Sequence, residues 1–279
     1  MTTPTTGAAR ATGQHDIVRI ALVGLAAGFL SGLFGVGGGI LIVPALVLVL
    51  KMEQRLAHGT SLAAVLPISV ASLATYWANG NVDWPVAFWI AVGAVTGAVL
   101  GTKLLHVLPE RVLGYAFAAL LVVTAVRLFI DTEAAGRGEL SVATVIGLVV
   151  LGLASGVLAG LLGVGGGIVM VPAMVVLFHM APVLAKGTSV AVIIPTAIMG
   201  TWRNRKKRNA DLRVAMILGG AGIVSAVAGG VISDRLSDSL SNVLFATLLL
   251  VVAARMIYGY VKEGKPSPHD EPLMEPGEV

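Results

Sequence analysis

The chain has 279 residues, of which 56% are hydrophobic, 35 are glycine and only 12% carry a charge, where a soluble domain carries about 25%; its mean hydropathy is +0.91. Such a composition excludes a water-facing globule and calls for a lipid bilayer as partner. The balance of 19 basic against 15 acidic residues leaves only +4, and aromatic stacking platforms are missing, so a nucleic-acid partner is not expected.

In chain order, residues 1–16 are polar and rich in Thr, Ala and Gly, and are predicted to form a disordered cytoplasmic tail. The apolar run after Arg19 is too long for the core of a cleaved signal peptide and is expected to stay in the membrane. A first membrane repeat is predicted over 17–132: an apolar segment at 17–36, a glycine break at 35–39, a short segment at 40–50, then longer ones at 59–78, 85–105 and 111–130. An extracytoplasmic linker follows at 133–140. A second membrane repeat over 141–260 has segments at 141–164, 168–178, 187–203, 213–233 and 239–260, and 261–279 is a second disordered cytoplasmic tail. The pieces of about 11 residues after each glycine break span only half a bilayer. The predicted fold is therefore an all-α integral membrane protein of two inverted-topology repeats, each a broken or re-entrant hairpin plus three transmembrane helices. Hairpin arms that each crossed fully would instead give ten spans.

The repeat is explicit. The run from Gly28 to Ala45, containing Gly35-Val36-Gly37-Gly38-Gly39-Ile40 and Val43-Pro44, returns as Gly156 to Ala173; Ala57-His58-Gly59-Thr60-Ser61 returns as Ala185-Lys186-Gly187-Thr188-Ser189; and Pro67 returns as Pro195. The offset stays at about 128 residues without a gap, and roughly 22 of 40 aligned positions are identical. Charge orients the two halves. The loop at 203–213 holds Arg203, Arg205, Lys206, Lys207, Arg208 and Arg213, whereas its counterpart at 79–84 has no basic residue. By the positive-inside rule the first is cytoplasmic and the second external, so the repeats are inverted and both termini lie inside the cell. Threading the remaining charges leaves Arg127, Arg137, Lys186 and Arg235 outside.

Inverted repeats with discontinuous helices mark secondary transporters, whose sites lie near the midplane. The candidate substrate-binding residues are Gly37, Gly38 and Gly39 with Thr60 and Ser61, and Gly165, Gly166 and Gly167 with Thr188 and Ser189. Half-helices starting at Ile40 and Ile168 would aim unpaired N–H groups and positive dipole ends into the breaks, where an anion fits. Helix packing competes as a role for the glycines and is preferred for Gly28, Gly32, Gly93, Gly97 and Gly101. Capping competes for the hydroxyls, which are expected near helix starts. His58 and Lys186 are expected as solvated side chains at a membrane edge, and Asp83 and Asp211 as turn or cap residues. With no acidic or basic side chain in the middle of a segment, the membrane core is expected to lack a buried cation. No cofactor or metal is expected: there is no cysteine, the histidines have no ligand spacing, and Lys186-Gly187-Thr188-Ser189 is not a phosphate loop.

At its doubled Gly-Val-Gly-Gly-Gly-Ile and Val-Pro element followed by Gly-Thr-Ser, the chain resembles the sulfite exporter TauE/SafE family over about residues 17–260. The resemblance implies an inner-membrane permease for a small anion such as sulfite, a sulfonate or a related organosulfur or organic acid. Coupling to protons or another ion, the direction of transport and the oligomeric state stay open. An anion channel is the alternative reading; a membrane-embedded enzyme has no serine, histidine or acid at depth beside a partner.

Overall fold

The computed structural model describes residues 14–104, scattered positions between 118 and 129, and residues 140–206 and 209–263. The tail before residue 14, the linker up to residue 139, the tail after 263 and the start of the segment at 111–130 lie outside the described residues.

The regular elements among the described residues are all helices, without a strand. In a bilayer no water satisfies a free N–H or C=O, so apolar segments this long must pair their backbone internally. The helices are α1 (Gln14–Phe34), α2 (Gly39–Leu48), α3 (Gln54–Ala78), α4 (Trp84–Leu104), α5 (Val142–Leu162), α6 (Gly167–Leu177), α7 (Pro182–Lys206), α8 (Leu212–Arg235) and α9 (Asp238–Glu263). α1 to α4 start at 14, 39, 54 and 84, and α5 to α8 at 142, 167, 182 and 212, so one offset of 128 residues holds through the fold. α1, α3, α5, α7 and α8 each contain a stretch long and apolar enough to cross a membrane. Their outer faces carry exposed Leu22, Val70, Val150, Ile198 and Val224, as lipid contact requires.

Each hairpin has unequal arms. α1 and α5 run 21 residues, whereas α2 and α6 run 10 and 11, about 15 Å at 1.5 Å per residue. The short arms end alike: the Met52 N–H donates to the Leu46 carbonyl and the Met180 N–H to the Met174 carbonyl, both at 3.1 Å. That turn needs a left-handed residue, supplied by Lys51 (φ 51°) and His179 (φ 53°). α3 and α7 begin five residues before the predicted 59 and 187, because the polar Gln54-Arg55 and the helix-opening Pro182 interrupt hydropathy without interrupting a helix.

The repeats interlock rather than sit side by side. The first helix of each packs on the fourth helix of the other, α1 on α8 and α5 on α4. A Cβ on Gly28 would lie 2.1 Å from the Gly222 carbonyl oxygen, and one on Gly156 2.1 Å from that of Ala94; Gly32 meets Ala226, and Gly93 and Gly97 meet Val149 and Leu153, in the same way. The packing role expected of these glycines is what the contacts record. The third helices, α3 and α7, form the middle. Thr60, near the start of α3, meets Asp211 beyond the end of α7, and Thr188, near the start of α7, meets Asp83 beyond the end of α3. The two helices therefore run antiparallel.

Candidate functional site

The two glycine breaks come together where α3 and α7 cross. Every glycine outside the half-helices has a positive φ: Gly35 67°, Gly37 80° and Gly38 70° in the first break, Gly163 68°, Gly165 86° and Gly166 80° in the second. An L side chain reaches this region only at a cost of about 1–2 kcal/mol, which is why the chain uses glycine here.

Within each triplet the positions differ in what they face. Gly38 and Gly166 cap the half-helices, their carbonyls accepting from Leu41 and Ile42 and from Val169 and Met170. A Cβ there would meet the Ala27 carbonyl oxygen at 2.6 Å or that of Ser155 at 3.0 Å. Gly39 and Gly167 open the half-helices, one residue before the predicted Ile40 and Ile168, and cross to the opposite break: Gly39 abuts the Val164 backbone and Gly167 abuts Gly35 and Val36. Gly37 and Gly165 face the centre. A Cβ on Gly37 would lie 3.1 Å from Ile193 and 3.3 Å from Val65, and one on Gly165 3.3 Å from Ile193 and 3.5 Å from Val65. Val65 and Ile193 occupy equivalent positions near the middle of α3 and α7, and both are fully buried. Repeat-related side chains thus close over two repeat-related backbone breaks. By helix geometry the first N–H groups of α2 and α6 have no acceptor within their own helix, and their dipoles are positive at this end.

The hydroxyls of the two Gly-Thr-Ser elements separate into two roles. Thr60 and Thr188 bond to the loops of the opposite repeat: Thr60 Oγ1 accepts from the Asp211 N–H at 2.9 Å and Thr188 Oγ1 from the Asp83 N–H at 3.0 Å. They lie seven residues into their helices, not at the starts, and brace the loop of the other repeat. Asp211 in turn caps α8 by accepting from Arg213 and Val214, and Asp83 accepts from Val86, which are the cap roles expected of them. Thr188→Val would leave the buried Asp83 N–H, and Thr60→Val the part-buried Asp211 N–H, without its acceptor, so each is expected to lower stability by about 1–3 kcal/mol, read by thermal unfolding in detergent. Of the two serines, Ser61 reaches a break, and Ser189 is its counterpart in the second repeat. Ser61 Oγ donates to the Gly163 carbonyl at 2.9 Å, whereas Ser189 Oγ is buried with no hydrogen-bond partner among the described residues.

Two features escape the sequence reading. Lys186, expected at a solvated membrane edge, is completely buried; its Nζ donates to Ser241 Oγ and lies 5.7 Å from the Phe34 ring and 5.9 Å from the Phe245 ring. The protein interior therefore does hold a lysine side chain, and the backbone of that lysine stands against the first break, since a Cβ on Gly35 would meet the Lys186 carbonyl oxygen at 2.5 Å. The reason is the early start of α7, which carries residue 186 one turn inside the helix. The second feature is a buried polar face on α3: Ser61, Ser69, Ser72 and Tyr76, in register with Val65. The Tyr76 hydroxyl donates to the Gly32 carbonyl at 2.7 Å and lies 3.2 Å from Ser233 Oγ, and Ser72 is 3.3 Å from Ser31. Spacings of three, four and eight residues place these side chains on one helical face, a signal legible in the sequence.

A family model described as Sulfite exporter TauE/SafE matches residues 5–128 and 148–276. Among similar proteins, the probable membrane transporter protein YjnA of Bacillus subtilis is 28% identical over 253 residues, 86% of this chain and 99% of that protein. A probable membrane transporter protein of Xylella fastidiosa is 29% identical over 252 residues, 88% of this chain and 96% of its own length. The probable membrane transporter protein YdhB of Bacillus subtilis is 30% identical over 185 residues, 65% of this chain and 76% of that relative.

Proposed function

Since the chain belongs to the sulfite exporter TauE/SafE family and is a multi-pass membrane protein of a transporter family, we propose that it carries a small anion, sulfite, a sulfonate or a related organosulfur or organic acid, through a site at its two glycine breaks. The observation that carries this reading is the meeting of two left-handed, side-chain-free backbone segments under Val65 and Ile193 at the centre of the bundle. Backbone N–H groups at the starts of α2 and α6, with the Ser189 hydroxyl, supply neutral donors to an anion, the Ser61 hydroxyl being engaged by the Gly163 carbonyl. A hydrogen bond to a charged group contributes about 1.5–3 kcal/mol, strong enough to select a substrate and weak enough to release it. Because the centre is closed by fully buried side chains, passage requires the helices around Val65 and Ile193 to part on one face and then the other. The test is uptake by proteoliposomes of sulfite, taurine and acetate, with and without a pH gradient. Saturable transport of at least one is the expected result; no transport of any would sink the reading, and dependence on the gradient would assign protons as the coupling ion.

The two repeats, 17–132 and 141–260 joined by the linker at 133–140, have inverted topology in this proposal, in the inner membrane with both termini cytoplasmic. The antiparallel course of α3 and α7 and the opposite charge of the loops at 79–84 and 203–213 support it. A cysteine-free chain makes the check direct. In intact cells a membrane-impermeant thiol reagent should label Asn81→Cys and leave Asn209→Cys untouched; labelling of both or of neither would contradict the inverted arrangement.

A further inference from the structure

The backbone of the candidate site is nearly symmetric between repeats, but its charge is not. Position 58 in the first repeat is histidine, and the equivalent position 186 in the second is a lysine, fully buried. The backbone of Lys186 packs against Gly35, its ammonium is held by Ser241, and the rings of Phe34 and Phe245 flank it. Burying a cation in a membrane protein is costly and marks functional positions more often than structural ones. Ser189 follows three residues later, on the same helical face. Its hydroxyl is buried and makes no hydrogen bond among the described residues, although its counterpart Ser61 is bonded to the opposite break. An unpaired buried hydroxyl is destabilising unless something else uses it.

We propose that Lys186 is the counter-charge of the transported anion, and that the anion is held on the side of the first glycine break by the Lys186 ammonium and the Ser189 hydroxyl. The two breaks are then unequal half-sites: the first attracts and holds the charge, while the second, tied by Ser61 to Gly163, is a fixed wall. A lysine suits this task because its compact charge on a flexible stem can follow a ligand and let it go, where a guanidinium fork would hold it in one geometry. The inference rests on the reading that the anion binds at the breaks.

The test compares wild-type protein, Lys186→Met, Lys186→Arg, Ser189→Ala and Gly37→Ala in proteoliposomes, with sulfite and ethanesulfonate as probes. Lys186→Met should weaken the apparent affinity for sulfite by about ten- to a hundredfold, while Lys186→Arg keeps it within about threefold. Sulfite carries two negative charges above neutral pH and ethanesulfonate one, so Lys186→Met should lose more affinity for sulfite than for ethanesulfonate, which a lysine with a purely structural role would not produce. Ser189→Ala deletes a hydroxyl that has no hydrogen-bond partner among the described residues, so its unfolding temperature should hold or rise while sulfite affinity falls by about threefold or more; this variant carries the test if Lys186→Met does not fold. Wild-type sulfite affinity in folded Lys186→Met or Ser189→Ala would overturn the proposal, as would a Lys186→Arg that loses as much as Lys186→Met. A defect confined to Gly37→Ala would remove Lys186 and leave the glycine-break site standing. Wild-type behaviour in every variant would remove both.

Discussion

Gly28→Leu, and separately Gly156→Leu, should abolish recovery of folded protein. Each glycine lies at the contact between the first helix of one repeat and the fourth helix of the other, and the nearest atoms a side chain would strike are backbone: the Gly222 carbonyl oxygen at 2.1 Å and its Cα at 2.6 Å for Gly28, beside the Ser225 hydroxyl at 2.5 Å, and the Ala94 carbonyl oxygen at 2.1 Å and its Cα at 2.7 Å for Gly156. Overpacking among side chains commonly costs about 1–3 kcal/mol because rotamers can adjust. Backbone cannot rotate away, so the helices must separate, and these contacts are what join the repeats. Gly220→Ala on α8 is the control, since nothing lies within 4 Å of its Cβ position. It should behave as wild type or gain up to about 1 kcal/mol from improved helix propensity. Size-exclusion profiles and thermal unfolding in detergent read both results, and a monodisperse Gly28→Leu protein with a wild-type unfolding temperature would refute the interlocked packing.

The second large effect is functional. The double variant Gly37→Ala, Gly165→Ala should fold yet transport at least about tenfold more slowly than wild type. The new methyl groups meet only the side-chain ends of Val65 and Ile193, at 3.1–3.5 Å, which can yield by a few tenths of an ångström. The left-handed backbone adds about 1–2 kcal/mol of strain at each position, tolerable in a folded protein and visible as a lower unfolding temperature. Those methyl groups also cover the side of the break that opens toward the centre, keeping an anion from the N–H groups of α2 and α6. Gly38→Ala should fail differently, by misfolding, because its methyl would press on the Ala27 backbone at 2.6 Å. A folded double variant that transports at the wild-type rate would assign the central glycines to packing alone.

The organisation along the chain was readable because duplication preserves register. One offset aligned the breaks, the half-helices and the Gly-Thr-Ser elements, and the half-helices begin within one residue of where the glycine runs end. Partners were less readable. In lipid every helix surface is apolar, so hydropathy cannot say that α1 packs on α8 and α5 on α4; only the small-residue spacing at Gly28, Gly32, Gly93 and Gly97 hinted that close contacts existed. Helix starts were misjudged where polar residues continue a helix beyond the apolar run. That shift of five residues carries Lys186 from a membrane edge into the interior and places Thr60 and Thr188 within helices rather than at their starts. Ser61 and Ser189 lie on the face of α3 and α7 that also carries Val65 and Ile193, a spacing of four residues that the sequence displays.

The most direct measurement of the central claim is cysteine accessibility at the point where the breaks meet. Val65→Cys and Ile193→Cys place single thiols in a chain that has none of its own, at positions that are fully buried in this closed arrangement. If an anion passes through the centre, a small negatively charged thiol reagent such as sulfonatoethyl methanethiosulfonate should modify both thiols during turnover, and saturating sulfite should slow the reaction. Thiols that stay unmodified while the same proteoliposomes transport sulfite, or that react at a rate sulfite does not change, would contradict the account.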